Sequence, residues 1–117
     1  MKYMLLVYQD EAALMGTEDP GPEAMTPWIE YTAALHESGS FIAGDPLDFT
    51  TSATTVRVRN DERVITDGPF AETKEQLGGY YLVEAKDLNE ALQIAAKIPS
   101  ARTGSIEVRP IEDFSQQ

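Results

Sequence analysis

Thr66-Asp67-Gly68-Pro69-Phe70-Ala71-Glu72-Thr73-Lys74-Glu75-Gln76-Leu77-Gly78-Gly79-Tyr80 joins two strand-like runs, Arg63 to Thr66 and Tyr80 to Ala85. Its glycines allow backbone angles that other residues avoid, and Pro69 fixes φ, removes a donor and pushes Gly68 towards extended geometry. The connection is polar, carrying Asp67, Glu72, Lys74 and Glu75, yet it stands between apolar strands. Constrained polar connections on a rigid scaffold commonly hold binding and catalytic groups. A short helical turn over Thr73 to Leu77 fits inside it.

Upstream, Thr54 to Arg59 alternates, with Val56 and Val58 one way and Arg57 and Arg59 the other. Asn60-Asp61 supplies a tight turn and Arg63 to Thr66 returns, which reads as a hairpin. Downstream of Tyr80 to Ala85, Asp87-Leu88-Asn89-Glu90 has capping-box spacing. Leu88, Ala91, Leu92 and Ala95 then form an amphipathic helix bounded by Pro99. Ser105 to Arg109 is a last strand with Ile106 and Val108 inward, and the tail from Ile111 is polar.

At the other end, Lys2 to Tyr8 is a continuous apolar run, as expected of a strand buried on both faces. Asp10 to Pro20 reads as a loop in which Ala12 to Met15 fit one helical turn. A helix follows, with two possible starts: Pro22 as first residue, or Thr26 as N-cap before Pro27. Trp28, Tyr31, Thr32 and Leu35 mark its inner face and Gly39 its C-terminal cap. Phe41-Ile42-Ala43 is the next strand, closed by Gly44-Asp45-Pro46, and Asp48 to Ala53 is loop.

The order is strand, helix, strand, hairpin, strand, helix, strand. With the hairpin as an insertion, this is the βαββαβ of a ferredoxin-like α+β domain: an antiparallel sheet with two helices on one face. The 117 residues fit one domain, 1–117. Two helices cover one face, yet Tyr3 to Tyr8 and Tyr80 to Val83 are apolar on both. A second copy of the chain, sheet against sheet, would supply the missing cover, so a homodimer forming a dimeric α/β barrel is expected.

Composition removes several classes. There is no cysteine, which excludes disulfides and thiolate nucleophiles or metal ligands. A single histidine, His36, makes no histidine-rich metal site, and no calcium-loop spacing occurs. No metal or cofactor is therefore expected. A net charge of −11 without a basic stripe argues against nucleic acid. No apolar run approaches the roughly 20 residues of a membrane span. Met1 to Tyr8 is too short for a signal-peptide core and lacks a small-residue cleavage site, so the chain reads as cytoplasmic.

Asp67-Gly68-Pro69-Phe70-Ala71-Glu72-Thr73-Lys74-Glu75, followed by Leu77-Gly78-Gly79-Tyr80-Tyr81, resembles the signature of the YCII-related, DGPF-domain proteins. The resemblance extends to Met1 to Tyr8, to Asp87-Leu88-Asn89-Glu90-Ala91 and to Glu107-Val108-Arg109-Pro110, nearly end to end. It implies a dimeric ferredoxin-like fold. Members of the wider group are suspected enzymes because of a His and Asp pair near a cleft. That histidine falls near Pro27 here, whereas His36 lies towards the other end of the helix, so the pair is not carried over. Members of the DGPF branch are associated with extracytoplasmic-function sigma factors, which implies a regulatory role as the alternative to catalysis.

The candidate catalytic residues are Asp67, Glu72 and Lys74: a general base or substrate-holding carboxylate, a proton-transfer acid and an anion holder. Their ordinary readings are a turn-forming Asp and a solvated ion-pair cluster. The candidate ligand-binding residues are Asp45, Phe70 and Glu75. Phe70 is weighed against a role as loop anchor, and Asp45 against one as a turn residue before Pro46. Tyr8, Tyr80 and Tyr81 read as sheet-face residues near the dimer seam. His36 reads as a helix-end residue meeting the C-terminal dipole. Three functions compete: a small-molecule enzyme doing proton transfer or water addition near the DGPF connection, a non-catalytic ligand-binding module, and a regulatory interaction module.

Overall fold

The computed structural model describes residues 1–15 and 21–114. Lys2–Gln9 (β1) is a central strand whose Tyr3, Leu5 and Val7 are buried while Met4, Leu6 and Tyr8 on the other face are half-buried. Within one protomer, then, one face is closed by the core and the other is open. Glu11–Met15 (α1) follows as a short helix inside the expected loop, capped by Asp10, whose Oδ1 accepts from Ala12 N and Ala13 N at 3.0 and 3.3 Å. The rest of that loop, 16–20, lies outside the described residues, as does the tail from 115.

Both candidate starts of the next helix are used. Pro22–Met25 forms a 3₁₀ turn and Thr26–Ser38 (α2) continues it, Thr26 itself being helical and giving no side-chain cap. The join works because Pro27 falls in the first turn of α2, where no intrahelical N–H partner exists to be lost. Gly39 closes the helix at φ 79°, a left-handed value that favours glycine, with its N–H reaching the carbonyls of Leu35 and His36.

Phe41–Pro46 (β2), Thr54–Arg59 (β3), Glu62–Asp67 (β4), Gln76–Glu84 (β5), Leu88–Ala96 (α3) and Ser105–Pro110 (β6) complete the chain. β2 runs on through Gly44-Asp45-Pro46 rather than stopping there, and Thr50–Ser52 is a 3₁₀ turn. The helical turn expected over Thr73 to Leu77 does not form: β5 begins at Gln76. At α3, Asp87 accepts from Glu90 N at 2.9 Å, while Glu90 accepts from Lys86 N at 3.2 Å. This is a capping box whose return arm reaches one residue further back.

The main sheet is antiparallel in the order β2-β5-β1-β6, and β3-β4 form a separate two-stranded sheet. This is a ferredoxin-like α+β fold with the hairpin as an insertion. The core lies between the sheet and α2 and α3, built from Tyr3, Leu5, Val7, Leu35, Tyr81, Val83, Ala91, Ala95 and Ile98. Leu5, Val83 and Ile98 are fully buried, each stabilising by about 1.5–3 kcal/mol relative to exposure. Cross-strand pairing places Met4 beside Leu82 and Leu6 beside Tyr80 on the opposite face.

The hairpin turns at Asn60 and Asp61, both left-handed at φ 51° and 63°, the geometry a two-residue turn needs to match strand twist. Its Val56, Val58 and Ile65 stand on one face, more than half exposed. The molecule is accordingly flat, 50 × 46 × 19 Å, with a radius of gyration of 16.5 Å, against about 13 Å for a compact chain of this length.

Candidate functional site

The sheet changes register where β1 leaves the core. Val7 pairs with Gly79 and Tyr8 with Leu77, so Gly78 is the additional residue of a β-bulge. Bulges are frequent beside binding sites because they re-aim the strand. Here the bulge sits at the floor of a cavity of about 730 Å³ between α2, α1 and the sheet. That volume lies in the range of small-molecule pockets.

Two helices and three strands bring side chains to it. Trp28, Thr32 and His36 come from α2 at four-residue spacing, on one helical stripe. Phe41 and Tyr81 come from β2 and β5, and Leu14 from α1. His36 lies against Phe41, ring centroids 4.0 Å apart and tilted by 32°. Thr32 Oγ1 and the Tyr81 hydroxyl share a hydrogen bond of 2.9 Å. Tyr31 packs edge-on against Tyr81 with centroids 5.3 Å apart and donates to the Ile94 carbonyl at 2.8 Å. Burial, with Tyr81 beside it, pushes the Tyr31 phenol well above its ordinary range. The wall is thus apolar and aromatic, with its hydroxyls already engaged.

At the sheet end of the cavity, Asp45 and Tyr80 are register partners, and the Tyr80 hydroxyl donates to Asp45 Oδ2 at 2.8 Å. That hydrogen bond, followed by the carboxylate's charge, raises the Tyr80 phenol above its usual 10.0. Tyr80 shares the open face with Leu6, whereas Tyr81 is buried in the core on the helix face. Only Tyr8 and Tyr80 of the three tyrosines therefore face a possible seam.

A second anchoring point lies behind α1. Glu11 is 7% exposed, and its carboxylate accepts from Thr50 N at 2.9 Å and from Thr50 Oγ1 at 2.6 Å. Its own N–H donates to Gln76 Oε1 at 2.9 Å. One residue thereby ties α1, the Thr50 turn and the start of β5 together.

Of the candidate catalytic and ligand-binding residues, Asp45 bounds the cavity, and Asp67, Phe70, Glu72, Lys74 and Glu75 are not among its described lining. The DGPF connection instead folds back on β3. Gly68 N donates to the Ala53 carbonyl and Thr55 Oγ1 to the Gly68 carbonyl, both at 2.7 Å, and an Arg57 nitrogen reaches the Phe70 carbonyl at 3.4 Å. Gly68 holds φ 96°, outside the range favoured by other residues. Phe70 is 78% exposed, so it does not anchor the connection within the protomer; backbone hydrogen bonds do. Asp67, Glu72 and Lys74 are exposed and form no ion pair among the described residues, where the single ion pair joins the Met1 amino group to Glu84 at 3.0 Å. Glu75 Oε1 accepts from Ser105 Oγ at 2.7 Å, fixing the connection to the start of β6.

His36 lies in the last turn of α2, as its reading as a helix-end residue expects, but its place on the cavity wall was not read, and Glu11 was not singled out. The Trp28-Thr32-His36 stripe was visible as i, i+4, i+8 spacing and would have put His36 on the cavity wall. For Glu11 no sequence signal exists, because its partner lies 39 positions away.

The chain belongs to the family of the YCII-related domain, whose profile matches residues 1–115. It is 38% identical over 114 residues to an uncharacterized protein of Rhizobium meliloti (strain 1021), with 95% of this chain and 92% of that one covered. Among solved structures it is similar to 5-chloro-2-hydroxyhydroquinone dehydrochlorinase (TftG) from Burkholderia phenoliruptrix, in complex with 2,5-dihydroxybenzoquinone. The TM-score is 0.50 at 13% identity, covering 100% of this chain and 99% of that one. At that identity the likeness is one of fold. No helix among the described residues is long and apolar enough to cross a membrane.

Proposed function

We propose that the protein is a homodimeric small-molecule protein whose site is the cavity between α2 and the β1-β5-β2 end of the sheet. The observation that carries this is the cavity itself: about 730 Å³, walled by Trp28, Phe41 and Tyr81 and floored by a glycine bulge. Large apolar pockets with a few convergent polar groups are where ligands bind. His36 borders it and is a group able to take and return a proton, with the Asp45–Tyr80 pair at the rim on the open sheet face, so acid–base chemistry is the reaction class the site supports. TftG, a protein of the same fold, forms its complex with a single-ring molecule, which agrees with a ligand of this size. Asp67, Glu72 and Lys74 remain proposed as charged groups that act on the ligand from the DGPF connection.

A screen of small metabolites by thermal shift tests the site. A ligand near 100 times its dissociation constant stabilises by about 2.7 kcal/mol. Ala33 lines the cavity from an exposed position on α2, so Ala33→Trp should fill the cavity without disturbing the core. A hit whose shift survives Ala33→Trp refutes the site. Asp67→Asn, Glu72→Gln, Lys74→Met and His36→Gln then divide the chemistry between the connection and the cavity wall.

The assembly part rests on Met4, Leu6, Tyr8, Tyr80 and Leu82, half-buried on a sheet face that no helix among the described residues covers, and on the exposed valines of the hairpin. Sedimentation equilibrium at micromolar concentration should give a dimer, and Leu6→Asp should dissociate or unfold it. A stable parent monomer removes this part and leaves the site proposal standing.

A further inference from the structure

Three glycines border the cavity, and packing accounts for only two. A β-carbon built on Gly44 would stand 2.8 Å from Tyr81 Cδ1, and one on Gly79 would stand 3.1 Å from the Asp45 carbonyl oxygen. A side chain at Gly44 would displace Tyr81, and one at Gly79 would press on the Asp45 backbone, so crowding accounts for both glycines. A β-carbon on Gly78 would meet nothing nearer than 3.9 Å, and Gly78 does not occupy the left-handed region. A glycine inside a strand costs about 0.5–1 kcal/mol relative to alanine. Gly78 therefore carries a cost that neither a left-handed φ nor a crowding neighbour explains. Its carbonyl is held by Leu47 N at 2.9 Å, so the bulge is fixed rather than loose. Strand glycines mark a bulge or a place where a ligand or another backbone approaches closely, and at Gly78 no described backbone closes the space that a ligand would use.

The charge of the wall narrows the ligand. Among the described residues lining the cavity there is no lysine and no arginine; Asp45 is the one residue with a carboxyl group. The chain carries −11 overall. A carboxylate, phosphate or sulfonate would lose its water here with no lysine or arginine to replace it. Trp28, Phe41 and Tyr81 offer ring faces and edges instead.

We propose, resting on the cavity being the site, that it takes an uncharged flat aromatic molecule laid on the Gly78–Gly79 bulge, and that Gly78 sets the room available to it. Calorimetric titration with 2-naphthol, uncharged at neutral pH, and with 2-naphthoate, its carboxylate counterpart, tests both halves. The parent should bind 2-naphthol and bind 2-naphthoate at least about tenfold more weakly. Gly78→Ala should weaken 2-naphthol binding with no fall in Tm, and Gly78→Val should weaken it further, by about tenfold in all. Unchanged 2-naphthol binding in Gly78→Ala overturns the role of the bulge, whatever happens to the fold of Gly78→Val. Equal binding of the two probes, both abolished by Ala33→Trp, overturns the charge class and leaves the cavity as the site. Failure of 2-naphthol to bind, or binding indifferent to Ala33→Trp, overturns the site reading and this proposal together.

Discussion

Removing the carboxylate of Glu11 should cost more than any other single change outside the apolar core. The side chain is nearly buried and receives two hydrogen bonds from one residue, Thr50, at 2.9 and 2.6 Å. Hydrogen bonds to a charged group contribute about 1.5–3 kcal/mol each. Thr50 is half-buried, so its freed donors regain part of this from water, and a desolvated charge disappears at the same time. The net for Glu11→Ala is then about 2–3 kcal/mol. At about 4–8 °C per kcal/mol for a domain near this size, Tm should fall by about 8–24 °C. Glu11→Gln keeps one acceptor but turns an NH₂ towards a donor, and should cost about 1–2 kcal/mol. A double-mutant cycle of Glu11→Ala with Thr50→Val, followed by urea unfolding, isolates the pair and should show a coupling of about 1–2 kcal/mol. A coupling below about 0.5 kcal/mol would mean the contact is incidental. Because Leu14 on the same short helix lines the cavity, Glu11→Ala should also weaken 2-naphthol binding.

Absorbance titration at alkaline pH should show Tyr80 ionising above its usual 10.0, and Asp45→Asn should bring that step back down. The raised phenol favours the protonated folded state, so its contribution is complete below pH 10 and is lost as pH climbs through the folded-state value; an unshifted step in Asp45→Asn would disprove the coupling. Gly68→Ala should destabilise by about 1–2 kcal/mol in thermal unfolding, because φ 96° is strained for an L side chain although nothing crowds the position. Among the described residues the buried Ser100 hydroxyl has no hydrogen-bond partner, so Ser100→Ala should be neutral or stabilise slightly in the same assay; a loss above about 1 kcal/mol would reveal a hidden partner such as a buried water.

Local periodicity made most of the fold legible. The alternation in Thr54 to Arg59, the Asp87–Glu90 cap spacing and Gly39 each encode structure within a few residues, and each forms as expected. The start of α2 was ambiguous because two prolines each suit a first helical turn, and the chain uses both by placing a 3₁₀ turn before the α-helix. The site was less legible. A motif of glycine, proline and charge draws attention to 67–75, but what bounds the cavity comes from residues distant in sequence that topology brings together. Gly78 and Gly79 belong to the same motif, yet their meaning depends on the strand across from them: the register shift at Val7 and Tyr8 distinguishes a bulge from a turn. Glu11 is one acid among 20 acidic residues, and only the position of Thr50 sets it apart.

The two outer strands of the main sheet, β2 and β6, are six residues long and each finishes on a proline, Pro46 and Pro110. A proline at the rim lacks the N–H that another strand would need, so the sheet is a poor template for edge-wise growth by other copies. The hairpin strands contain no proline, and β3 and β4 each have one unpaired edge and expose Val56, Val58 and Ile65 between them. Arg57, Arg59 and Arg63 are interleaved with those residues, as charges flank sticky strands in proteins that stay dispersed. The exposed apolar strand edges outside the main sheet therefore lie, among the described residues, in the hairpin Thr54 to Asp67, and neutralising those arginines would remove the charges that guard them.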